Sequence, residues 1–331
     1  MATPCDGGGG GKDEAVMVLN GRAARPWMRK DELLKEHVGA YTTARTVDQT
    51  SVFEFSMHCQ RLHETATAIL KRELPSGSSD ATATGEQTLA FLDNAGADGL
   101  RPLVRGEIRA ALEHLGVAAG EGQGSADGTK NEFQVTMLLT WDSVGPHTPP
   151  DRAFDIHTFV QPLPRIEPMV AVEAHAAERK NPTIKDVQWV TDRQRLEELQ
   201  RAAGVNEIVM FDREGLVTEG LQTNFFAVAA DGALLTAPDE RVLAGTVRKV
   251  VLQVARDAGI PVRFEAPSIH DLQSWESCLV CSTSRLVKPI RELVAPELSS
   301  QKSFPGKDSV AHQVEALVDK AVRGNSEPLF E

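Results

Sequence analysis

Three groups able to do chemistry are spaced through the second half of the sequence: Lys185, Glu219 and the turn Gly245-Thr246-Val247. Lys185 follows Asn181-Pro182-Thr183-Ile184 and precedes a helical pattern carrying Val190, Leu196 and Leu199. A lysine ordinarily titrates near about 10.4 and is a solvated cation, but burial and neighbouring positive charge turn it into a nucleophilic amine that can form a Schiff base. Its rival, Lys180, lies in a polar run after Arg179 and is expected to face solvent. Glu219 stands at the end of a strand pattern, against backbone expected to be buried, where a carboxylate needs a partner because an isolated buried charge is expensive. Gly245 permits close approach, and the residues after it, Val247, Val250, Val251, Val254, Ala255 and Ala258, keep the three-four spacing of a helix face that Gly259 and Pro261 end. The first amides of that helix, at Thr246 and Val247, have no partner within it and form a seat for a phosphate.

A Schiff-base lysine, a carboxylate and a phosphate seat are three parts that pyridoxal phosphate requires together. The carboxylate would hold the pyridine nitrogen protonated and make the ring an electron sink. The order and content resemble the class IV aminotransferases, the fold type IV pyridoxal-phosphate enzymes that include branched-chain and D-amino acid aminotransferases and aminodeoxychorismate lyase. The resemblance rests on Thr218-Glu219-Gly220, Thr223-Asn224-Phe225-Phe226, Leu243-Ala244-Gly245-Thr246-Val247-Arg248 and His58-Cys59-Gln60-Arg61-Leu62, and it runs from about residue 41 to 290.

That resemblance implies an α/β fold of the α+β type, with a smaller N-terminal α/β domain and a larger C-terminal pseudo-barrel domain that binds the cofactor. It implies cofactor contacts from Lys185, Glu219, Arg61, Thr246, Val247 and Thr283, and substrate contacts from Tyr41, Trp141 and Ser284, with no metal. The implied reaction is transamination between an amino acid and a 2-oxo acid, in a homodimer. Two alternatives stand beside it: a lyase of the aminodeoxychorismate type, and a divergent member that keeps the fold as a binding protein. The sequence departs from the family pattern at Thr42, where a glutamate is usual, at Val247, where a threonine is usual, and at Arg285-Leu286, where a glutamate commonly follows. Arg285 reads equally as a receptor for a second substrate carboxylate or as a surface residue.

The elements that must position these groups follow from the apolar patterns. Short strands are expected at 15–19, closed by a turn at Asn20-Gly21, and at 39–46, 52–55, 132–141, 155–160, 208–211, 225–228 and 233–235. Helices are expected at about 57–70, where Arg61 adjoins the apolar face of Leu62, Ala66, Ile69 and Leu70, at 105–115, and through Val310, Val314, Leu317, Val318 and Val322. Trp189 falls a turn beyond Lys185, placed to pack beside a bound ring. Residues 75–85 and 120–130 read as loops, the latter glycine-rich but without the strand and lysine of a P-loop. Trp141 precedes a proline-rich loop, Gly145-Pro146-His147-Thr148-Pro149-Pro150, that contains His147, and Pro162, Pro164 and Pro168 mark a linker at 162–168 between domains at 15–161 and 169–331.

Composition bounds the rest. At 331 residues and 41% hydrophobic the chain can bury two cores. Its net charge of -12 argues against a nucleic-acid or anionic-membrane partner, and no apolar run approaches the length that crosses a bilayer. Residues 1–14, with their glycine run, read as a disordered tail without the features of a secretory or transit signal, which fits a cytoplasmic enzyme. Cys278 and Cys281 have a C-x-x-C spacing, but within a strand they point to opposite faces and read as buried structural thiols.

Overall fold

The computed structural model describes residues 15–24, 28–74, 81–117, 131–142, 148–149 and 152–330. The expected tail, the glycine-rich 120–130 segment and His147 lie outside the described residues. The chain opens with β1 (Val16–Leu19), β2 (Arg22–Ala24), α1 (Lys30–Glu36), β3 (Gly39–Val47), β4 (Ser51–Phe53), α2 (Phe55–Glu73), α3 (Ala81–His114), β5 (Phe133–Thr140) and β6 (Asp155–Pro162). It continues through β7 (Val170–Ala176), α4 (Gln188–Asp192), α5 (Gln194–Ala203), β8 (Glu207–Phe211), β9 (Val217–Gly220), β10 (Asn224–Val228), β11 (Leu234–Leu235), α6 (Thr246–Asp257) and β12 (Val262–Arg263). Last come β13 (Ser277–Ser282), β14 (Leu286–Ala295), β15 (Ser300–Ser303), α7 (Val310–Gly324) and β16 (Ser326–Pro328).

The strands form two sheets. The first is seven-stranded and antiparallel, in the order β16-β4-β3-β5-β6-β1-β2. Its opening hairpin turns through Asn20 and Gly21, both at positive φ (49° and 81°), which is the two-residue turn whose twist suits paired strands. Helices α2 and α3 cover one face and bury Phe55, Leu62, Ile69, Leu92, Val104 and Ile108 against Val135, Met137 and Leu139 of β5. The expected loop over 75–85 is corrected at its end: α3 begins at Ala81 and is broken at Gly96, where φ is 60°. Small and polar residues start this helix, but Leu89 and Leu92 pack on the sheet behind them, and that packing outweighs weak local propensity.

The second sheet has nine strands, in the order β12-β11-β10-β13-β14-β7-β8-β9, with β15 beside β14. β9 also pairs with β10, Glu219 opposite Asn224, so the run from β10 round to β9 closes into a ring, the expected pseudo-barrel. Strands β10 and β13 are buried on both faces, which explains their unbroken apolar runs. Cys278 faces the core that holds Trp275, and Cys281 faces the core under α6 and α7. Both are free thiols, and burial pushes Cys281 up to about 12. Among the described residues no helix is long and apolar enough to cross a membrane.

Candidate active site

Between the two sheets lies a cavity of about 240 Å³. Lys185 reaches it from the segment that links β7 to α4, and β3 pins that segment: the Tyr41 N–H donates to the Lys185 carbonyl at 3.3 Å, and Ala40 bridges Asp186. The Tyr41 ring lies under the amine, 4.8 Å from Nζ to the ring centroid. Burial, and then the charges of Arg61, Arg179 and Arg193, hold the lysine well below its ordinary value, while Glu219 pulls the other way. That setting favours the neutral, nucleophilic form of the amine. Lys180 is exposed, as expected.

Glu219 is buried at the end of β9. Its Oε2 accepts the Leu243 N–H at 3.1 Å, and its Oε1 lies 3.5 Å from Arg179 Nη1. Burial raises its pKa, and Arg179, the Leu243 amide and Lys185 oppose that rise. Arg179 is itself held from two other sides, donating to the Ile184 carbonyl at 2.5 Å and stacking over Trp189 at 5.1 Å.

The anion seat is built at the start of α6. Gly245 precedes the helix, and a Cβ there would stand 1.9 Å from Asn224 Oδ1, so only glycine fits. Asn224 in turn donates to the Leu243 carbonyl at 2.8 Å, tying the ring closure to the helix tip. The Thr246 and Thr223 hydroxyls line the cavity, are buried, and among the described residues have no hydrogen-bond partner. Arg61, from α2, donates to the Ala244 carbonyl beside them, and burial brings it down to about 10. Two orphaned hydroxyls, unpaired first-turn amides and a guanidinium at one point are the donors a phosphate would satisfy. Val247 turns its side chain into the core under α6, so the residue that replaces threonine keeps its amide at the seat and loses only a hydroxyl.

Beyond the seat, Thr283 and Ser284 line the cavity in the turn after β13. Ser284 Oγ accepts from Gln134 Nε2 at 2.6 Å, a bond between the two sheets. Leu286, at the end of this turn, is held at φ 54°, a left-handed conformation costly for leucine. Arg285 is paired through Nη1 with the buried Glu207 at 3.0 Å. Thr42 shares a 2.8 Å hydrogen bond with His58 Nδ1. Burial, then Arg61 and Lys185, push that imidazole well below its usual value, which favours its neutral form.

The structure therefore brings Lys185, Glu219, Arg61, Thr246, Val247 and Thr283, with Tyr41 and Ser284, around one cavity. It does not bring Trp141 there. That ring is packed in the core of the first sheet, its carbonyl accepting the Thr84 hydroxyl at 3.1 Å, and it is absent from the cavity lining. Sequence reasoning missed Thr223, Arg179 and Arg193. Thr223 sat inside a quoted motif and its side-chain polarity was the available signal; Arg179 lies in the polar run expected to face solvent, and Arg193 in a charged stretch with no motif to mark it. Among the described residues no group of three or more His, Cys, Asp or Glu could hold a metal.

Comparison with known proteins agrees with this geometry. A model of the family described as amino-transferase class IV matches residues 39–293. A Methanocaldococcus jannaschii protein named as a branched-chain-amino-acid aminotransferase is 32% identical over 115 residues, covering 34% of this chain and 39% of its own. The D-alanine aminotransferase of Staphylococcus haemolyticus is 26% identical over 188 residues, covering 51% of this chain and 64% of its own. The matched stretches thus span less than two thirds of these relatives. A solved structure of a hypothetical aminotransferase from Mycobacterium tuberculosis, in a PLP-bound form, superposes with a TM-score of 0.66 at 19% identity, over 94% of this chain and 99% of that one, and so shares its fold. With three quarters of its length matched by the family and the motif residues gathered on one cavity, the chain belongs to the class IV aminotransferases.

Proposed function

We propose that this protein moves an amino group between an amino acid and a 2-oxo acid, with pyridoxal 5'-phosphate as cofactor and Lys185 as the residue that holds it covalently. The observation that carries this reading is a lysine kept well below its ordinary pKa in the same cavity as a buried carboxylate and a helix tip with two orphaned hydroxyls. When bound, the cofactor supplies a sink for the electron pair left as a substrate α-carbon loses its proton.

The chain's own residues then have separable tasks. Thr246, Thr223, Arg61 and the first amides of α6 grip the phosphate. Glu219 keeps a proton on the pyridine nitrogen, its other contacts holding the carboxylate in place. Lys185 Nζ would accept the substrate α-proton as general base and give it back as general acid. Tyr41 beneath the amine limits its swing. A homodimer accompanies this reading and is checked by sedimentation.

Purified protein mixed with the cofactor should gain visible absorbance that Lys185→Ala lacks, and pooled L- and D-amino acids should bleach it with release of oxo acids. A spectrum unchanged by Lys185→Ala removes that residue from the reaction. Pyruvate release without exchange between amino and oxo acids would instead make the protein a lyase.

A further inference from the structure

The loop that carries Thr283 and Ser284 into the cavity is both strained and tethered. It closes the β13–β14 hairpin, with the Arg285 N–H donating to the Ser282 carbonyl at 3.2 Å, and a turn of this kind rejoins its strand through a left-handed residue that glycine suits best. Leu286 stands there instead, at φ 54°. Such a conformation persists only where its surroundings impose it. The Leu286 side chain packs against the core under α6 and α7, and two bonds hold the loop from either side: Arg285 Nη1 donates to Glu207 Oε2 of β8 at 3.0 Å, and Gln134 Nε2 of β5 donates to Ser284 Oγ at 2.6 Å. The first bond stays within the second sheet. The other crosses to it from the first.

Gln134 is 7% exposed, and an amide so placed must find partners. Its Oε1 accepts Gln161 Nε2, directly opposite on β6, at 2.9 Å and the Lys30 ammonium of α1 at 3.3 Å. An ammonium can only donate, so Lys30 decides which end of the amide is oxygen and turns the NH2 toward Ser284. We propose that Gln134 is a positioning residue for the cofactor: aimed by Lys30 and Gln161, it holds the strained loop in the shape that presents Thr283 and Ser284 to the cavity. The inference rests on the transamination reading given above. It makes the cofactor cradle of the second sheet depend on a side chain of the first, so that the loop takes its binding shape only once the two sheets have docked.

The test titrates the cofactor-free protein with pyridoxal 5'-phosphate, followed by visible absorbance, in wild type, Gln134→Leu, Ser284→Ala and the double variant. Each single variant should bind the cofactor about 2- to 10-fold more weakly, the range for one hydrogen bond, and the double variant no more weakly than either. In a Leu286→Gly background, where the loop closes without strain, Gln134→Leu should cost less. Amide exchange at residues 283–286, read in the cofactor-free protein, should quicken in both single variants. Ser284→Ala, a small change on a loop, guards against misfolding of Gln134→Leu, which circular dichroism checks. Unchanged cofactor affinity in Gln134→Leu overturns the proposal, as do losses that add in the double variant, a loss of equal size in the Leu286→Gly background, or unchanged exchange in the loop. A wild type that never gains visible absorbance with the cofactor is a separate failure, that of the transamination reading itself.

Discussion

Lys185 Nζ lies 4.8 Å over the centroid of the Tyr41 ring, and the Tyr41 N–H donates to the Lys185 carbonyl at 3.3 Å. One residue thus fixes both the backbone and the amine end of the other. An aromatic face favours the charged form of a cation by about 0.5–2 kcal/mol. Tyr41→Leu keeps the backbone bond and removes the face, so the amine should titrate lower still. The acid limb of the pH profile for cofactor capture should move to lower pH, and a limb that stays put would show that the ring does not act on the amine.

Lys185 also couples the site to stability. Its amine is held well below the usual range by burial and by Arg61, Arg179 and Arg193, whereas in the unfolded chain it titrates near about 10.4. Between those two values the unfolded state carries the extra proton, so stability rises with pH across that window and is lowest below it. Cofactor-free Lys185→Met should lose this part of the slope and melt higher than wild type at pH 7. Urea titrations at stepped pH measure both effects.

Glu219 answers the charge of Arg179 in a place where neither meets bulk water. Glu219→Gln keeps the shape and the Leu243 contact but leaves Arg179 without its counter-charge. Removing one partner of a buried pair costs about 3–5 kcal/mol, and loss of the pyridine partner should lower turnover by about 100-fold or more. Denaturation and single-turnover kinetics read the two effects separately.

At the helix tip, Gly245→Ala should force Asn224 aside, since the added carbon would stand 1.9 Å from Oδ1. Overpacking of this kind costs about 1–3 kcal/mol, and cofactor affinity should fall with it. Asn224→Ala frees the space, so the double variant should lose less than the sum of the two single ones.

Arg285, open in the sequence between receptor and surface residue, is tied to Glu207, itself 0% exposed. Arg285→Met strands that carboxylate and should destabilise the protein by about 3 kcal/mol or more. Pairing it with Glu207→Met should recover much of the loss. Equal damage from the single and double variants would mean that the pair is not a unit.

The parts of the site legible in the sequence were those set by local rules. Gly245 and the apolar spacing behind it specify a helix tip, and Glu219 at a strand end with Lys185 ahead of a helix mark two more corners. Closure of the ring was implied by the family motifs, and the Glu219–Asn224 pairing supplies it. What escaped depends on where folding puts a charged side chain. Arg179 and Arg193 differ from any charged surface residue only because Trp189, Glu219 and Glu197 meet them in space. Trp141 stood beside a loop suited to substrate contact, yet its ring packs inward among α2, α3 and β5. β7 and β16 have composition too ordinary to announce a strand, and only pairing with β8, β14 and β4 makes them so.

That last strand has a consequence for how the molecule comes into being. Ser326–Pro328 supply the outer row of a sheet whose other members lie within the first half of the chain, and Leu329 N–H reaches back to the Thr50 carbonyl. During synthesis the early sheet must therefore wait, one flank bare, until a strand more than 270 residues further along than β4 has been made. Loss of Ser326–Leu329 would damage a sheet built from the first half of this sequence, far from the deleted residues.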